Sequence, residues 1–226
     1  MEITTNLVAG VASSLLAVVL IELYLVSKRR FRDRPVRALL NNADRIGIIT
    51  PEYPSDVDER VGSLIATYDS VALAHLLEVC TRVKASSVLA SPSRMPENLP
   101  AMSIVIGGPV SNPIARFYLE TYCRGFRSVD SGFEVPGREP FLEDSTTSWA
   151  FLVRLDGSVT TRSGAVLLVW GITAQATAAA GYFLANKPND LPWRDENFFV
   201  ALAVDTKLGY TSVQATPTNV GVEVFV

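Results

Sequence analysis

The sequence predicts an α/β protein in which a single transmembrane helix is followed by a Rossmann-like cytosolic domain with β-hairpin insertions. Three observations lead to this prediction. Residues 7–27 are almost uniformly apolar, and a cluster of basic residues follows them directly. Short β-branched runs then alternate with segments of helical periodicity, as in parallel α/β sheets. Two of these runs end in glycine immediately before a helix, which is typical of the places where such sheets bind ligands.

The apolar segment at residues 7–27 has the length of a membrane-spanning helix. It contains one ionisable side chain, Glu22, and at about 1.5 Å per residue it extends over roughly 30 Å, the thickness of a bilayer core. A cleaved signal peptide needs a basic residue ahead of its apolar stretch, and residues 1–6 contain none. A buried core helix does not normally end in a basic cluster. We therefore expect a transmembrane helix preceded by an extracytoplasmic N-terminus at residues 1–6.

The basic residues set the orientation of the predicted helix. They all follow it, in a juxtamembrane linker predicted at residues 28–42. The positive-inside rule then places the α/β domain, residues 43–226, in the cytoplasm, with the protein at the inner (plasma) membrane. Glu22 either snorkels toward the lipid headgroups or lines a seam between helices. Small residues at intervals of four would let such helices pack closely in a homo-oligomer, although they are common in any membrane helix.

Composition narrows the classes of function. The net charge of −3 argues against a protein that binds nucleic-acid duplexes, which would carry a basic face. The chain has one histidine, His75, which argues against a zinc site or a Ser-His-Asp triad, and we predict no metal and no cofactor. Cys80 and Cys123 have neither metal-ligand nor disulfide spacing, so both are expected to be reduced thiols.

Apolar runs bounded by turn residues place the strands, and helical spacing of apolar residues places the helices. Strands are predicted at residues 45–50, 86–90, 101–106, 164–171, 197–204 and 221–226. Helices are predicted at residues 57–83, 113–122 and 173–185, with Thr173 as the N-cap of the last. Residues 148–161 are predicted to form a hairpin, because Asp156-Gly157 is favoured in tight hairpin turns. The first strand, helix and strand predict a parallel β-α-β unit.

Two places in the domain share one design: a buried strand, a turn of small residues and then a helix. At such a turn glycine lets a ligand approach the backbone, and the helix N-terminus offers N–H groups to it. Neither turn matches the dinucleotide-binding fingerprint or the P-loop. The predicted ligand-binding residues are Gly107, Gly108, Ser111, Asn112 and Arg116 at the first turn and Gly171, Thr173, Gln175 and Thr177 at the second. The alternative is that both turns are structural corners.

Other residues are weaker candidates. Asp69 and Ser70 interrupt an apolar stretch and mark either a helix break that faces the ligand cleft or a solvated turn. Trp170 either fills the core or stacks on a base. The acidic segment that contains Glu134 is expected to be a solvated loop, and His75 is expected to be a packed helical residue. The residues suggest no pair of nucleophile and base, so no catalytic residue is predicted.

One membrane helix joined to a Rossmann-like cytosolic domain with Gly-rich turns resembles, in architecture, the bacterial membrane-anchored CARF-type sensors. The resemblance implies a dimeric ligand site across the carboxyl ends of the strands. It also implies a cyclic oligonucleotide messenger of antiviral defence as the ligand, and an effect on the membrane when that ligand binds. Two other functions stay open. One is a tethered nucleotide hydrolase or transferase that uses Asp69 or Glu134, and the other is a membrane scaffold in which the glycines are structural.

Overall fold

The computed structural model describes residues 2–53, 65–96, 98–160, 164–216 and 225, without the side chains of residues 2–15 and 29–32. The chain divides into two compact units, Met1–Pro35 and Val36–Val226. The helices are α1 (Glu2–Leu39), α2 (Thr67–Val83), α3 (Pro113–Tyr122), α4 (Gly157–Thr160) and α5 (Ala174–Asn186). The strands are β1 (Arg45–Ile49), β2 (Ser86–Ala90), β3 (Met102–Ile106), β4 (Arg127–Val129), β5 (Gly132–Glu134), β6 (Phe141–Leu142), β7 (Thr147–Leu155), β8 (Ala165–Gly171), β9 (Phe198–Asp205) and β10 (Gln214–Thr216).

The first unit is helical throughout its described length and exposes a run of apolar side chains. Between Leu16 and Val26 the large apolar residues of α1 are 39 to 63% exposed. Among the helices that the structure describes, none combines the length and the hydropathy needed to cross a membrane. The transmembrane segment predicted at residues 7–27 falls partly outside this description, because the side chains of residues 7–15 are not included in it, and the same holds for the N-terminus predicted at residues 1–6.

The second unit is built on a mixed seven-stranded sheet with the order β10-β9-β7-β8-β3-β1-β2. Strands β2, β1, β3 and β8 are parallel to one another, as the β-α-β pattern predicted. Strand β7 pairs antiparallel with both β8 and β9, and β10 closes that side antiparallel to β9. The α/β class and the parallel part of the sheet are therefore confirmed, and the second half of the chain extends the same sheet with antiparallel strands.

Most of the predicted elements are present within one or two residues of their expected bounds. The predicted strands at residues 45–50, 86–90, 101–106, 164–171 and 197–204 correspond to β1, β2, β3, β8 and β9. The predicted helices at residues 113–122 and 173–185 correspond to α3 and α5. Thr173 is the N-cap of α5, since its side chain accepts a hydrogen bond from the Ala176 N–H.

The predicted hairpin at residues 148–161 is wrong. Strand β7 ends at Leu155, and the residues after Asp156 form the short helix α4 instead of a returning strand. The Asp156 side chain accepts a hydrogen bond from the Ser158 N–H, and its carbonyl accepts one from the Thr160 N–H. Asp156 thus acts as a helix N-cap, a role that the Asp-Gly dipeptide can take as readily as a hairpin turn.

A β-hairpin insertion does occur, but it lies in a segment that was expected to be a solvated loop. Strands β4 and β5 form this hairpin, and β6 pairs with β5 to complete a separate three-stranded antiparallel sheet. Arg127 and Glu134 form an ion pair across the two strands of the hairpin. Glu134 belongs to the acidic segment that was predicted to be a solvated loop.

Three further segments differ from their predictions or lie outside the described residues. The helix predicted at residues 57–83 begins at Thr67 in its described part, and residues 54–64 lie outside the description. Asp69 and Ser70 lie in the first turn of α2, which begins directly after the extended residue Ala66, so a helix boundary lies within three residues of the predicted break. The linker predicted at residues 28–42 is helical as far as Leu39. The strand predicted at 221–226 lies outside the described residues except for Phe225, which forms an isolated bridge with Cys123.

Successive side chains of each strand point to opposite faces of the main sheet, and a hydrophobic core covers each face. On β8, Leu167 and Val169 join the core that contains α2, α5 and the last turn of α1, while Val166, Leu168 and Trp170 join the core on the other face. That second core contains α3 and an aromatic cluster shared with the small sheet. Its rings include Phe133, Phe151 and Trp170, whose centroids lie 5.1 to 5.4 Å apart.

Helices α2 and α5 approach one another at a glycine. A Cβ atom added to Gly181 would lie 2.9 Å from Ala72 Cα and 3.0 Å from the Ala72 carbonyl oxygen. Real Cβ atoms rarely come so close to backbone, so only glycine fits here without a shift of one helix. Small residues on α5, including Ala176, Ala179 and Ala180, are fully buried along the same helix.

We expect Gly181→Ala to destabilise the protein although alanine has the higher helix propensity. Overpacking against the Ala72 backbone should lower the free energy of unfolding by about 1–3 kcal/mol relative to Gly157→Ala. The matched substitution at Gly157 meets only ordinary contacts, the nearest at 3.6 Å. Thermal and urea denaturation of the detergent-purified chain measure the difference. Equal stability of the two variants would contradict the close packing of α2 and α5.

Candidate functional site

The carboxyl ends of β1, β3 and β8 surround a cavity of about 430 Å³. The chain passes from β1 to β2 on one side of β1 and then crosses to β3 on the other side. Such a reversal of strand order opens a crevice at the carboxyl edge of a parallel sheet, because the connections on its two sides lead away from each other. The cavity therefore lies at the position where open α/β sheets bind ligands.

The cavity brings together the two turns that the sequence singled out. Of the nine predicted ligand-binding residues, five line it: Gly108, Ser111, Gly171, Thr173 and Thr177. The first two follow β3, and the others follow β8 at the N-terminus of α5. The parallel pairing of β3 with β8 explains this arrangement, since it places both strand ends at the same edge of the sheet.

The other four predicted residues do not belong to the lining of this cavity. Gly107 forms the corner after β3 in a left-handed conformation, with φ of +88°. Asn112 is the buried N-cap of α3: it accepts a hydrogen bond from the Ile114 N–H and donates one to the Ile106 carbonyl. Arg116 donates to the Pro109 carbonyl and lines a neighbouring cavity. Gln175 lies in the first turn of α5, and its ligand-binding role stays a prediction.

Most polar groups of the second turn, which follows β8, form hydrogen bonds within the protein itself. Thr177 Oγ1 accepts a hydrogen bond from the Gly171 N–H at 3.0 Å and contacts the Thr173 carbonyl oxygen at 3.3 Å. A Cβ on Gly171 would lie 2.4 Å from the Ala176 Cβ, so α5 packs directly against the end of β8. Gly108 is similarly constrained, because a Cβ there would lie 2.7 Å from the Trp170 ring. These residues shape the cavity walls by holding α5 and the indole in place.

An acidic side chain that the sequence ranked low lies in the wall of the cavity. Asp69, in the first turn of α2, is only 2% exposed, and its Oδ2 accepts a hydrogen bond of 3.0 Å from the Tyr53 hydroxyl. Tyr53 follows β1 and lines the same cavity. Sequence reasoning missed Tyr53, although its position just past the carboxyl end of the first parallel strand was a usable signal.

Burial perturbs both members of this pair. It raises the pKa of the Asp69 carboxyl above its ordinary value, and the hydrogen bond from Tyr53 opposes that rise in part. Burial also raises the pKa of the Tyr53 phenol, the Asp69 carboxylate raises it further, and Ser111 opposes the rise. Acidic groups with raised pKa values inside a cleft are typical of functional sites.

The cavity lining is acidic and aromatic. Its charged side chains are Asp69 and Glu143, and none of the described lining residues is Lys or Arg. Its aromatic side chains are Tyr53, Phe133, Phe151 and Trp170. The small sheet supplies one wall, so Glu143 reaches the cavity from a segment that was expected to be solvated. In the described parts of the chain, no three His, Cys, Asp or Glu side chains come together as a metal site would require.

His75, Cys80 and Cys123, which the sequence analysis also considered, are packed among other side chains of the fold. His75 packs beside Tyr182 and Tyr210, with ring centroids 5.5 and 6.0 Å away, as expected for a packed helical residue. Cys80 and Cys123 are free and buried, as expected for reduced thiols, and burial raises the pKa of their thiols to about 11 and about 12. These residues lie apart from the cavity lining.

Comparison with known proteins adds no assignment. No protein-family model matches the chain, and no curated protein matches it. The geometry of the cavity and the chemistry of its lining residues are therefore the basis for inferring a function.

We expect Asp69→Asn to stabilise the protein at neutral pH. Because the pKa of Asp69 is raised in the folded state, the native protein binds the proton more tightly than the unfolded chain does. The Asp69 contribution therefore favours folding at low pH and is lost as the pH rises through the folded pKa. The Asn variant should be more stable than the wild type at pH 7.5, with a smaller difference at pH 4.5.

Thermal denaturation at the two pH values measures this difference. Asp190→Asn, at an exposed acidic residue, is the control and should change stability equally little at both. A variant that is less stable than the wild type at pH 7.5 would show that the Asp69 charge stabilises the fold.

Proposed function

We propose that this chain is a membrane-attached receptor whose α/β domain binds a small nucleotide-type ligand in the cavity and relays binding to helix α1. The observation that carries the proposal is the convergence of β1, β3 and β8 on one cavity at the reversal of strand order. Ligand sites of open α/β sheets lie at this position, and a volume of about 430 Å³ is within the usual range for small-molecule sites.

The lining supports a nucleoside moiety as the bound group. The half-buried ring of Tyr53 offers an aromatic surface to a flat base, and the exposed hydroxyl groups of Ser128 and Ser131 suit a ribose. The architectural resemblance to CARF-type sensors extends the proposal to a cyclic oligonucleotide messenger of antiviral defence. A ligand of that size would need the cavities of two copies, which agrees with the homo-oligomer that the sequence predicts.

Membrane attachment is proposed through helix α1. Its exposed apolar side chains between Leu16 and Val26 continue an apolar sequence that begins at Leu7, and the basic cluster follows at residue 28. Exposed apolar surface of this extent is unfavourable in water and favourable in lipid. The positive-inside rule gives the proposed orientation, with the α/β domain in the cytoplasm.

Helix α2 offers a direct route from the cavity to α1. Its first turn carries Asp69 in the cavity wall, and the carbonyl of Val83 in its last turn accepts a hydrogen bond of 2.7 Å from Arg37 Nη2. The helix has 17 residues and is therefore about 25 Å long. Leu39, in the last turn of α1, is buried in the same core as α2. A shift of α2 on ligand binding would move the end of α1.

A second candidate function is a tethered nucleotide hydrolase or transferase with Asp69 as its general acid or base. The observation that favours it is the raised pKa of Asp69, because an acid–base catalyst works best when its pKa lies near the working pH. Turnover of a nucleotide by the full chain, followed by chromatography, separates the two functions. A receptor returns the nucleotide unchanged, whereas an enzyme loses turnover in Asp69→Asn.

We expect ligand binding to be lost when the cavity is filled. Ser128 is exposed on β4 and lines the cavity, so Ser128→Trp should block it without disturbing the core. The matched control is Ser87→Trp, at an exposed residue of the edge strand β2. The full chain in detergent is tested by thermal shift against AMP, GMP, cyclic AMP, cyclic GMP and cyclic dinucleotides.

A ligand at about 100 times its Kd stabilises a protein by about 2.7 kcal/mol, which is a shift of several degrees. The wild type and Ser87→Trp should show this shift with at least one nucleotide, and Ser128→Trp should not. If no nucleotide shifts the wild type, or if Ser128→Trp responds as the wild type does, the proposed ligand site is wrong.

We expect the full chain to insert into lipid through α1. It should float with vesicles of phosphatidylcholine and phosphatidylglycerol and remain bound after an alkaline carbonate wash. Leu16→Arg with Leu20→Arg should abolish this binding, because each Arg at the centre of a span costs about 2.5–3.5 kcal/mol. Leu208→Arg, at a leucine 73% exposed in the second unit, is the control. Release of the wild type by 1 M salt alone would indicate surface attraction without insertion.

A further inference from the structure

A second cavity of about 430 Å³ adjoins the candidate ligand site. The two cavities share four lining residues: Pro109, Val110, Ser128 and Phe133. Resting on the proposed function, we propose that this second cavity binds the phosphate group of the nucleotide through Arg116 and Arg127, while the first cavity holds the nucleoside part. Because the sugar joins base and phosphate in one small molecule, the two parts need adjoining spaces of this kind.

The charged residues described in the two linings differ in sign. Asp69 and Glu143 line the first cavity, whereas Arg116 and Arg127 line the second together with one carboxylate, that of Glu120. Carboxylates repel a phosphate group, and guanidinium groups attract it because their planar array of N–H donors matches its oxygens. A nucleotide whose base occupies the first cavity is therefore most stable with its phosphate in the second.

Arg116 is held at the boundary between the two cavities. It lies on α3, and its Nε donates a hydrogen bond of 2.8 Å to the carbonyl of Pro109, which lines both cavities. This bond uses one of the five N–H donors of the guanidinium and fixes the position of the group. Arg116 would then bind the ligand, as the sequence predicts, but from the neighbouring cavity.

Arg127 is oriented by its partner in the small sheet. Its Nε pairs with the carboxylate of Glu134 across β4 and β5. The two side chains are 70% and 28% exposed, and water weakens the attraction in ion pairs at the surface, so Glu134 competes little with a phosphate. Ser128 follows on β4 and lines both cavities. A sugar that contacts Ser128 would therefore bring its phosphate beside Arg127.

The test compares nucleosides with nucleotides on the full detergent-purified chain by titration calorimetry. The probes are adenosine and guanosine, AMP and GMP as phosphate monoesters, and cyclic AMP and cyclic GMP as phosphate diesters. At least one nucleotide should bind about 10-fold or more tightly than its nucleoside, as expected for charged hydrogen bonds. This advantage should shrink between about 0.05 M and about 0.5 M salt, because salt screens exposed charges.

Two substitutions remove the arginines, and two others are their controls. Arg116→Gln and Arg127→Gln should each weaken nucleotide binding by about 10–100-fold and leave nucleoside binding unchanged. Arg124→Gln makes the same change in net charge at an exposed residue just past α3 and should leave both affinities unchanged. Glu134→Gln breaks the same ion pair as Arg127→Gln but keeps the arginine, so its nucleotide binding should be as tight as in the wild type or tighter.

Each result decides the proposal. A nucleotide advantage that is lost in Arg116→Gln and Arg127→Gln and kept in Arg124→Gln supports it. Nucleosides that bind as tightly as nucleotides, or arginine variants that bind nucleotides as the wild type does, overturn it and leave the nucleotide-type ligand of the first cavity standing. Equal weakening by Glu134→Gln and Arg127→Gln overturns it as well, since the integrity of the hairpin would then explain the effect. If neither nucleosides nor nucleotides bind, the proposed function itself fails.

Discussion

The rest of this structure depends on the backbone contact that α5 makes with both of its neighbours. The end of β8 tolerates only Gly171 beside Ala176, and α2 tolerates only Gly181 beside Ala72. Because these contacts leave no room for side chains, they fix where α5 begins relative to the carboxyl edge of the sheet. They also bring the first turn of α2 to that edge. The cavity and its acidic wall follow from this arrangement of two helices on one face of the sheet.

The sequence was informative where a single local pattern decides the structure. The β-branched runs of β1, β3 and β8, the Pro and Asn at the start of α3 and the Thr N-cap of α5 each carry a strong local signal, and all of them are present as predicted. The sequence failed where two local solutions compete. Asp156-Gly157 suits a hairpin turn and a helix N-cap equally, and only the pairing of β7 with both β8 and β9 decides between them.

The candidate site was also predicted only in part, because some of its features follow from local sequence and others arise only from tertiary packing. The two Gly-rich turns were predicted to bind a ligand, and the parallel register of β3 with β8 places them at one cavity. Their polar groups, however, are mostly occupied by helix capping, which a sequence pattern cannot distinguish from ligand binding. Asp69 and Tyr53 become a pair only through folding, since they lie on different elements and their hydrogen bond needs both in place. The small sheet was missed because its strands have two or three residues each, too few to show alternation.

The three-stranded sheet β4-β5-β6 has a consequence for how this protein can diversify. It contributes a wall of the cavity, yet its described strands do not pair with those of the seven-stranded sheet. Aromatic packing and a hydrogen bond from Trp149 Nε1 to the Leu142 carbonyl attach it to that sheet. Substitutions on its cavity side therefore leave the hydrogen-bond ladders of the main sheet intact. Substitutions there would change one wall of the proposed ligand site while the strand pairing that builds the main sheet stays in place.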